Sequence, residues 1–212
     1  MSEQFNIHRY QTLLWDFDGV ILNSMPIRDR GFVRVLEDFP EDQVEALLDY
    51  HRKNGGLSRY VKFRYFFEEI RGEELTDDRL AELAAAFSRI MLEELGNPDL
   101  LIPPTHRFLD RKHKDFSMHV VSGSDQQELR ELCGILQLSH FFKSIHGSPT
   151  PKKEWVGHLM EQHAYEPRTT ALIGDSINDY EAAAAHGVDF LGFNNPALEE
   201  VSAYYIRDFD SL

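Results

Sequence analysis

The chain has 212 residues, of which 42% are hydrophobic, and its 36 acidic and 22 basic side chains leave a formal net charge of −14. This length and apolar content predict a globular protein with one domain or one domain that carries an insertion, and the negative charge argues against a nucleic-acid partner, which would require a basic face. The sequence has neither a membrane-spanning apolar run nor the basic and apolar regions of a signal peptide, so we expect a cytoplasmic protein without a membrane partner.

The first predicted strand covers residues 12–16 and ends near two carboxylates, Asp16 and Asp18. A short apolar run closed by a glycine is typical of a buried strand. The carboxylates are two positions apart, so they lie on the same side of an extended chain. In a buried position they would repel one another and lose hydration unless a cation lay nearby. We therefore interpret Asp16 and Asp18 as candidates for a cation site or for acid–base chemistry.

A long helical segment follows this strand, and residues 25–99 contain no convincing strand pattern. The last helix of the segment begins with a capping signature at Thr76, followed by an Ala-rich amphipathic run. The chain between Asp18 and Ser122 is far longer than one crossover helix needs. These observations predict an all-α cap domain at residues 25–99, inserted above Asp16 into a catalytic core. The core comprises residues 1–24 and 100–212, and the predicted cap helices are residues 27–39, 42–52, 57–71 and 77–95.

Strand and helix patterns alternate through the rest of the chain. This alternation predicts an α/β fold with a Rossmann-like parallel sheet that has helices on both faces. Open sheets of this kind bind ligands beyond the carboxyl ends of their strands. The later predicted strands are residues 117–122, 144–146, 170–174 and 188–192, and the predicted helices are residues 125–136, 152–163 and 177–186.

Polar residues follow the predicted strand at residues 117–122. Ser122 and Gly123 could hold phosphoryl oxygens through a hydroxyl and the following amides, although a serine before a helix is often only an N-cap. Further along, Lys152 and its neighbour Lys153 open a helical stretch. Either lysine could offset the charge of an acid pair and a phosphoryl group.

A second acid pair lies just beyond the predicted strand at residues 170–174. Asp175 and Asp179 are four positions apart across a strand-to-helix turn, a spacing that puts both on one face of the first helical turn. Helix capping is the alternative interpretation, because acidic residues favour that position. Capping would account for one of the two carboxylates and leave the other unexplained.

The order of acid pair, hydroxyl, lysine and acid pair resembles the four motifs of the haloacid dehalogenase-like hydrolase superfamily. The resemblance is to its phosphatase branch with a helical cap, of the phosphoglycolate phosphatase-like kind. It implies that Asp16 is a nucleophile that forms an aspartyl-phosphate, and that Asp18 protonates the leaving oxygen and then activates water. It also implies a Mg²⁺ ion bound directly by Asp16, the main-chain oxygen of Asp18 and Asp175, with Asp179 acting through water.

The same resemblance assigns roles to the residues between the acid pairs. The family's lysine is often followed two positions later by an acid, which favours Lys152 over Lys153 because Glu154 follows. Ser122 supplies the family's phosphate-binding hydroxyl, and the adjacent amide of Gly123 also binds phosphoryl oxygens. Lys152 then offsets the charge on the nucleophile and the phosphoryl group.

Residues 50–59 join two predicted cap helices and combine glycines with basic side chains. Glycine allows close approach of the backbone, and the basic residues bring positive charge to an acidic protein. We predict that this segment binds the part of the substrate beyond the phosphoryl group, whereas the alternative is an ordinary helix–helix turn with solvated charges. The candidate substrate-binding residues of the cap are Arg28, Arg52, Asn54, Gly55 and Arg59.

The leading functional prediction is a Mg²⁺-dependent phosphatase that hydrolyses a small phosphomonoester. A phosphosugar mutase of the β-phosphoglucomutase type is the enzyme alternative, but those relatives tend to carry a histidine where Arg28 stands. A receiver-like signalling domain that accepts a phosphoryl group is the alternative from another class. Receivers lack both a helical insertion after the first strand and an acid at the position of Asp18. The sequence leaves the physiological substrate and the oligomeric state open.

Overall fold

The computed structural model describes residues 5–212. Its centre is one sheet of six parallel strands in the order β3-β2-β1-β4-β5-β6. Residues 1–4, which belong to the segment considered for a signal peptide, lie outside the described residues. The strands are β1 (Thr12–Trp15), β2 (Ser117–Asp125), β3 (Ser144–Ser148), β4 (Thr170–Gly174), β5 (Asp189–Phe193) and β6 (Tyr204–Ile206).

Helices occupy both the long segment after β1 and the connections between the later strands. The segment at residues 25–99, called the helical insertion below, contains helices and no strand. Its third helix continues into a π-helical turn at Tyr65–Ile70. The helices are α1 (Met25–Val35), α2 (Glu41–Lys53), α3 (Arg59–Arg64), α4 (Asp77–Leu95), α5 (Pro103–Lys112), α6 (Gln126–Ile135), α7 (Lys152–His163) and α8 (Ile177–Ala184).

Alternate residues of the central strands point to opposite faces of the sheet, as the twofold periodicity of a strand requires. Leu13 and Trp15 join the larger apolar cluster, which also contains side chains of α5, α6 and the helical insertion. Leu14 joins a smaller cluster on the other face, with side chains of α7 and α8. Because both faces are covered, the strands read as continuous apolar runs in the sequence.

The predicted α/β class is confirmed, and each of the five predicted strands is present. Two elements were missed, β6 and α5. β6 has only three residues, too few for a periodic signal, and it pairs as an edge strand with β5. α5 begins with two prolines; proline at the first helical position is a start signal that could have identified it.

The boundaries of several elements differ from the prediction. The helix predicted at residues 57–71 begins at Arg59, because Ser58 is its N-cap and accepts a hydrogen bond from the amide of Val61. β2 extends to Asp125, beyond its predicted end at Ser122. The capping signature at Thr76 is confirmed, since its side chain accepts a hydrogen bond from the amide of Arg79. None of the helices built from residues 5–212 combines the length and apolar character that a membrane crossing requires.

Candidate active site

The predicted motifs meet at one edge of the sheet. β1 pairs with β2 on one side and with β4 on the other, so the residues near the carboxyl ends of these three strands are neighbours. Asp16, Ser122 and Asp175 line one cavity of about 420 Å³, which side chains of the helical insertion also line. The topology therefore brings together residues that are far apart in the sequence.

Lys152 lies in the centre of a buried ionic cluster. Its Nζ is 2.8 Å from Oδ1 of Asp16, and it also contacts Oδ1 of Asp179. Burial alone would lower the pKa of Lys152, but the charges of the two carboxylates outweigh it and raise that pKa, so the ammonium remains protonated. Lys153 is exposed. Of the two lysines that the sequence left in competition, Lys152 is the one that reaches the acid cluster.

Asp16, Asp175 and Asp179 form a compact acid cluster, each offering an oxygen within 4.8 Å of the others. The pKa values of Asp16 and Asp175 are raised, first by burial and then by repulsion from neighbouring carboxylates. Within residues 5–212, neither Oδ2 of Asp16 nor the carboxylate of Asp175 has a hydrogen bond or ion pair. Carboxylate oxygens crowded in this way, with too little positive charge near them, fit a hard divalent cation such as Mg²⁺.

Asp179 differs from the other two members of the cluster because both of its oxygens have protein partners. Oδ1 contacts Lys152, while Oδ2 accepts hydrogen bonds from the amide and the hydroxyl of Ser176 at 3.0 and 2.7 Å. This is a capping box at the start of α8, so the capping interpretation does apply to Asp179. Its predicted contact with a metal through water remains a prediction.

Asp18 faces the helical insertion rather than the acid cluster. Its Oδ1 is 2.6 Å from Nε of Arg28 and accepts a hydrogen bond from the Ser24 hydroxyl, and its Oδ2 accepts one from the Ser124 hydroxyl at 2.6 Å. Burial would raise the pKa of Asp18, but the guanidinium of Arg28 and the two hydroxyls outweigh burial and lower it. Asp18 is therefore ionised in this arrangement.

Ser122 and Gly123 lie where β2 meets the helical insertion. Ser122 is buried, and its hydroxyl accepts a hydrogen bond from the amide of Ser124 at 3.2 Å. A Cβ atom added at Gly123 would lie 2.3 Å from the main-chain oxygen of Gly56. Only a glycine at position 123 therefore allows the backbone of the helical insertion to approach the core this closely.

Replacement of Gly123 by alanine is expected to lower kcat/KM for a phosphomonoester by about 100-fold, because the helical insertion would have to move away from the site. Steady-state kinetics would measure the loss. Gly134→Ala is the matched control, since a Cβ there meets, beyond its chain neighbours and the backbone of its own helix, no atom of the described residues within 4 Å. Wild-type kinetics for Gly123→Ala would show that this close approach is not needed for turnover.

The basic residues predicted for substrate binding have different environments. Arg28 and Arg59 are buried, and both contact Glu128 of α6, at 3.1 and 2.6 Å. Arg52 also lines the cavity but is half-exposed and pairs with carboxylates of the insertion itself. Gly55 lines the cavity as well.

Asn54 is the exception among the predicted substrate-binding residues. The structure does not bring it into the cavity. Its side-chain amide instead donates to the main-chain oxygen of Tyr50 at 2.9 Å, because Asn54 is the C-cap residue that follows α2. Its place in a substrate site is therefore not supported by the geometry.

Sequence reasoning missed two buried charged residues beside the cavity, Glu128 and Lys62. Both are nearly inaccessible to solvent. Helical periodicity could have found them, because Glu128 lies four positions before the buried Leu132, and Lys62 four positions before the buried Phe66. A charged residue on the apolar stripe of a helix is a signal for a buried polar contact.

Comparison with known proteins identifies the family. The family model described as haloacid dehalogenase-like hydrolase matches residues 13–193. The chain belongs to this family. A phosphoglycolate phosphatase of Mannheimia succiniciproducens is 24% identical to this haloacid dehalogenase-like chain over 226 aligned positions, covering 100% of the chain and 98% of the relative.

Solved structures of other proteins share the fold. A predicted phosphoglycolate phosphatase of Haemophilus somnus superposes with a TM-score of 0.76 at 20% identity, covering 95% of both chains. The YfnB hydrolase of Bacillus subtilis, solved with bound magnesium, superposes with a TM-score of 0.70 at 21% identity, covering 96% of both chains. Family membership and the chemistry of the site together identify the enzyme class as a phosphoric monoester hydrolase.

Proposed function

We propose that this hydrolase cleaves a small phosphomonoester in a Mg²⁺-dependent reaction that passes through an aspartyl-phosphate on Asp16. The observation that carries the proposal is the position of Asp16 at the end of β1, buried, 2.8 Å from Nζ of Lys152 and next to Asp175. A buried carboxylate beside one fixed cation and a further carboxylate suits nucleophilic attack on a phosphoryl group.

In the first half-reaction, the carboxylate of Asp16 attacks phosphorus, and the bond to the ester oxygen of the leaving group breaks. Lys152 offsets the negative charge on Asp16 and on the phosphoryl group. The Ser122 hydroxyl and the amide of Gly123 bind phosphoryl oxygens at the end of β2. Asp16, the main-chain oxygen of Asp18 and Asp175 would hold Mg²⁺ directly, and Asp179 would contact it through water. When bound, the ion supplies positive charge for the phosphoryl oxygens.

Asp18 handles the protons of both half-reactions. The Asp18 carboxylate is ionised in the free enzyme, and the negative charge of a bound phosphoryl group favours its protonation. The protonated carboxyl gives its proton to the departing ester oxygen, and the resulting carboxylate takes one from the water that hydrolyses the aspartyl-phosphate. Its position two residues after Asp16, held by Arg28 and Ser124, supports this role. Arg28 links the proton-handling carboxylate to the helical insertion, which we propose is a cap domain at residues 25–99 that closes over the bound substrate.

Phosphoglycolate is the first candidate substrate, since the relative from Mannheimia succiniciproducens carries the name phosphoglycolate phosphatase. The phosphosugar mutase alternative is not favoured, and membership of a hydrolase family argues against a receiver-like signalling domain. The cytoplasmic location stays a prediction from the sequence.

The test is hydrolysis of p-nitrophenyl phosphate and phosphoglycolate by the purified protein with Mg²⁺. We expect turnover that EDTA abolishes and that excess Mg²⁺ restores, because a cluster of carboxylates cannot accept a phosphate dianion without added positive charge. Release of inorganic phosphate would be measured. Undiminished hydrolysis in EDTA would contradict metal dependence, and no hydrolysis of either ester with Mg²⁺, Mn²⁺ or Co²⁺ would contradict the proposed function.

A further inference from the structure

Lys62 of α3 is a buried lysine with no acidic partner among residues 5–212. It is 3% exposed, and its Nζ donates a hydrogen bond to the main-chain oxygen of Gly55 at 3.2 Å. Across the part of the chain that the structure describes, no Asp or Glu forms an ion pair with it. Burying an ammonium group without a counter-charge is unfavourable, so the position of Lys62 requires an explanation.

The neighbouring cations do have acidic partners. Glu128 contacts both Arg28 and Arg59, and Asp18 contacts Arg28 as well. The guanidinium groups of Arg28 and Arg59 thus have the two carboxylates as counter-charges. Lys62, beside them, has none. Burial, Arg28 and Arg59 lower the pKa of Lys62 to about 7, despite the opposing charges of Asp18 and Asp16.

Lys62 lines the cavity that contains the predicted nucleophile, Asp16. The rings of Phe32 and Phe87 form part of the same lining. A cavity of about 420 Å³ has room for a small organic leaving group in addition to a phosphoryl group. A ligand bound at Asp16 therefore extends into a space lined by a lysine whose charged form an anionic group would favour.

We propose that Lys62 binds a second anionic group, a carboxylate or a second phosphate, in the leaving part of the substrate. This inference rests on the proposed phosphatase function and narrows its substrate class to phosphomonoesters with a second negative charge. The anionic group supplies the counter-charge that Lys62 lacks. Substrates that carry such a group gain an interaction that phosphomonoesters with an uncharged leaving group lack.

The experiment compares three esters of similar size: phosphoglycolate, ethyl phosphate and ethane-1,2-diol bisphosphate. Phosphoglycolate and the bisphosphate carry a second anionic group, and ethyl phosphate does not. For the wild-type enzyme we expect kcat/KM for at least one of the first two esters to exceed that for ethyl phosphate by about 10- to 100-fold, the range of a charge-assisted hydrogen bond. The preferred ester identifies the group as a carboxylate or a phosphate. In Lys62→Met, the ratio of the preferred ester to ethyl phosphate falls by the same factor.

Lys114→Met is the matched control, because Lys114 is exposed and does not line the cavity. It removes the same net charge and is expected to keep the ratio within about twofold, since exposed charges are screened by solvent. Loss of the preference in both variants to the same degree would overturn the proposal in favour of a general effect of charge.

A measurement without substrate tests the unmatched charge directly. Because Lys62→Met removes a buried amine that has no acidic partner among residues 5–212, we expect the Tm of the free enzyme to stay equal or rise despite the loss of the hydrogen bond to Gly55. A fall of more than about 5 °C would exceed the loss of one hydrogen bond, would show that Lys62 has a further stabilising partner and would overturn the proposal. Equal kcat/KM for all three esters would also overturn it while leaving the phosphatase function intact, whereas hydrolysis of none would contradict the phosphatase function itself.

Discussion

Asp16→Asn is expected to lower kcat by at least about 10⁴-fold for every phosphomonoester, because it removes the proposed nucleophile and preserves the shape of the side chain. The variant should remain folded. Burial and neighbouring carboxylates already disfavour the charged form of Asp16, as its raised pKa indicates, so a neutral amide offsets part of the lost contact with Lys152. The measurement is steady-state hydrolysis of p-nitrophenyl phosphate, with circular dichroism to confirm folding.

Asp18→Asn provides the contrast for this prediction. It leaves Asp16 in place, so the enzyme should still form the aspartyl-phosphate from esters with activated leaving groups, which need little protonation. Intact-protein mass spectrometry after rapid acid quenching would detect the adduct in Asp18→Asn and not in Asp16→Asn. Near-normal rates in Asp16→Asn, or an adduct on that variant, would show that the covalent mechanism is wrong.

Glu128→Ala is expected to destabilise the protein by about 3–5 kcal/mol, which is a fall in Tm of roughly 6 to 20 °C for a chain of this size. Glu128 is 2% exposed and lies between two buried guanidinium groups, those of Arg28 and Arg59. Its removal leaves both charges buried with their shared partner gone. Thermal unfolding followed by circular dichroism would measure the effect.

Glu131→Ala is the control for this variant. Glu131 belongs to the same helix, α6, but is exposed, and its loss should change the free energy of unfolding by no more than about 0.5 kcal/mol. Glu128→Gln separates charge from shape, because it keeps the size of the side chain and removes only its charge. If Glu128→Ala were no less stable than Glu131→Ala, Glu128 would not be the residue that joins the helical insertion to the core.

Much of the fold and part of the site could be predicted because their signals are local. Buried parallel strands appear as apolar runs, and the helices around them show their own periodicity. The end of β1 marked Asp16 and Asp18, the end of the apolar run in β2 marked Ser122, and the end of β4 marked Asp175, because open parallel sheets bind ligands at the carboxyl ends of their strands. β6 was missed because a strand of three residues has no measurable periodicity.

The partners of individual charged groups could not be predicted in this way. Lys152 and Lys153 have the same chemistry, and only the packing of α7 against the sheet buries the first and exposes the second. Asp179 appeared equivalent to Asp175 by spacing, yet its oxygens are held by Lys152 and Ser176. Such pairs depend on rotamers and on burial rather than on spacing alone.

The sequence by itself determined the alternation of most strands and helices, the family resemblance and the place of the proposed nucleophile, because each depends on short stretches of chain. The tertiary structure alone decided which charges meet. Arg28 and Glu128 are 100 positions apart, and they form an ion pair only because the helical insertion packs on α6. The strength of a charge pair depends on its distance and on the water excluded around it, and for residues this far apart the packed fold determines both quantities.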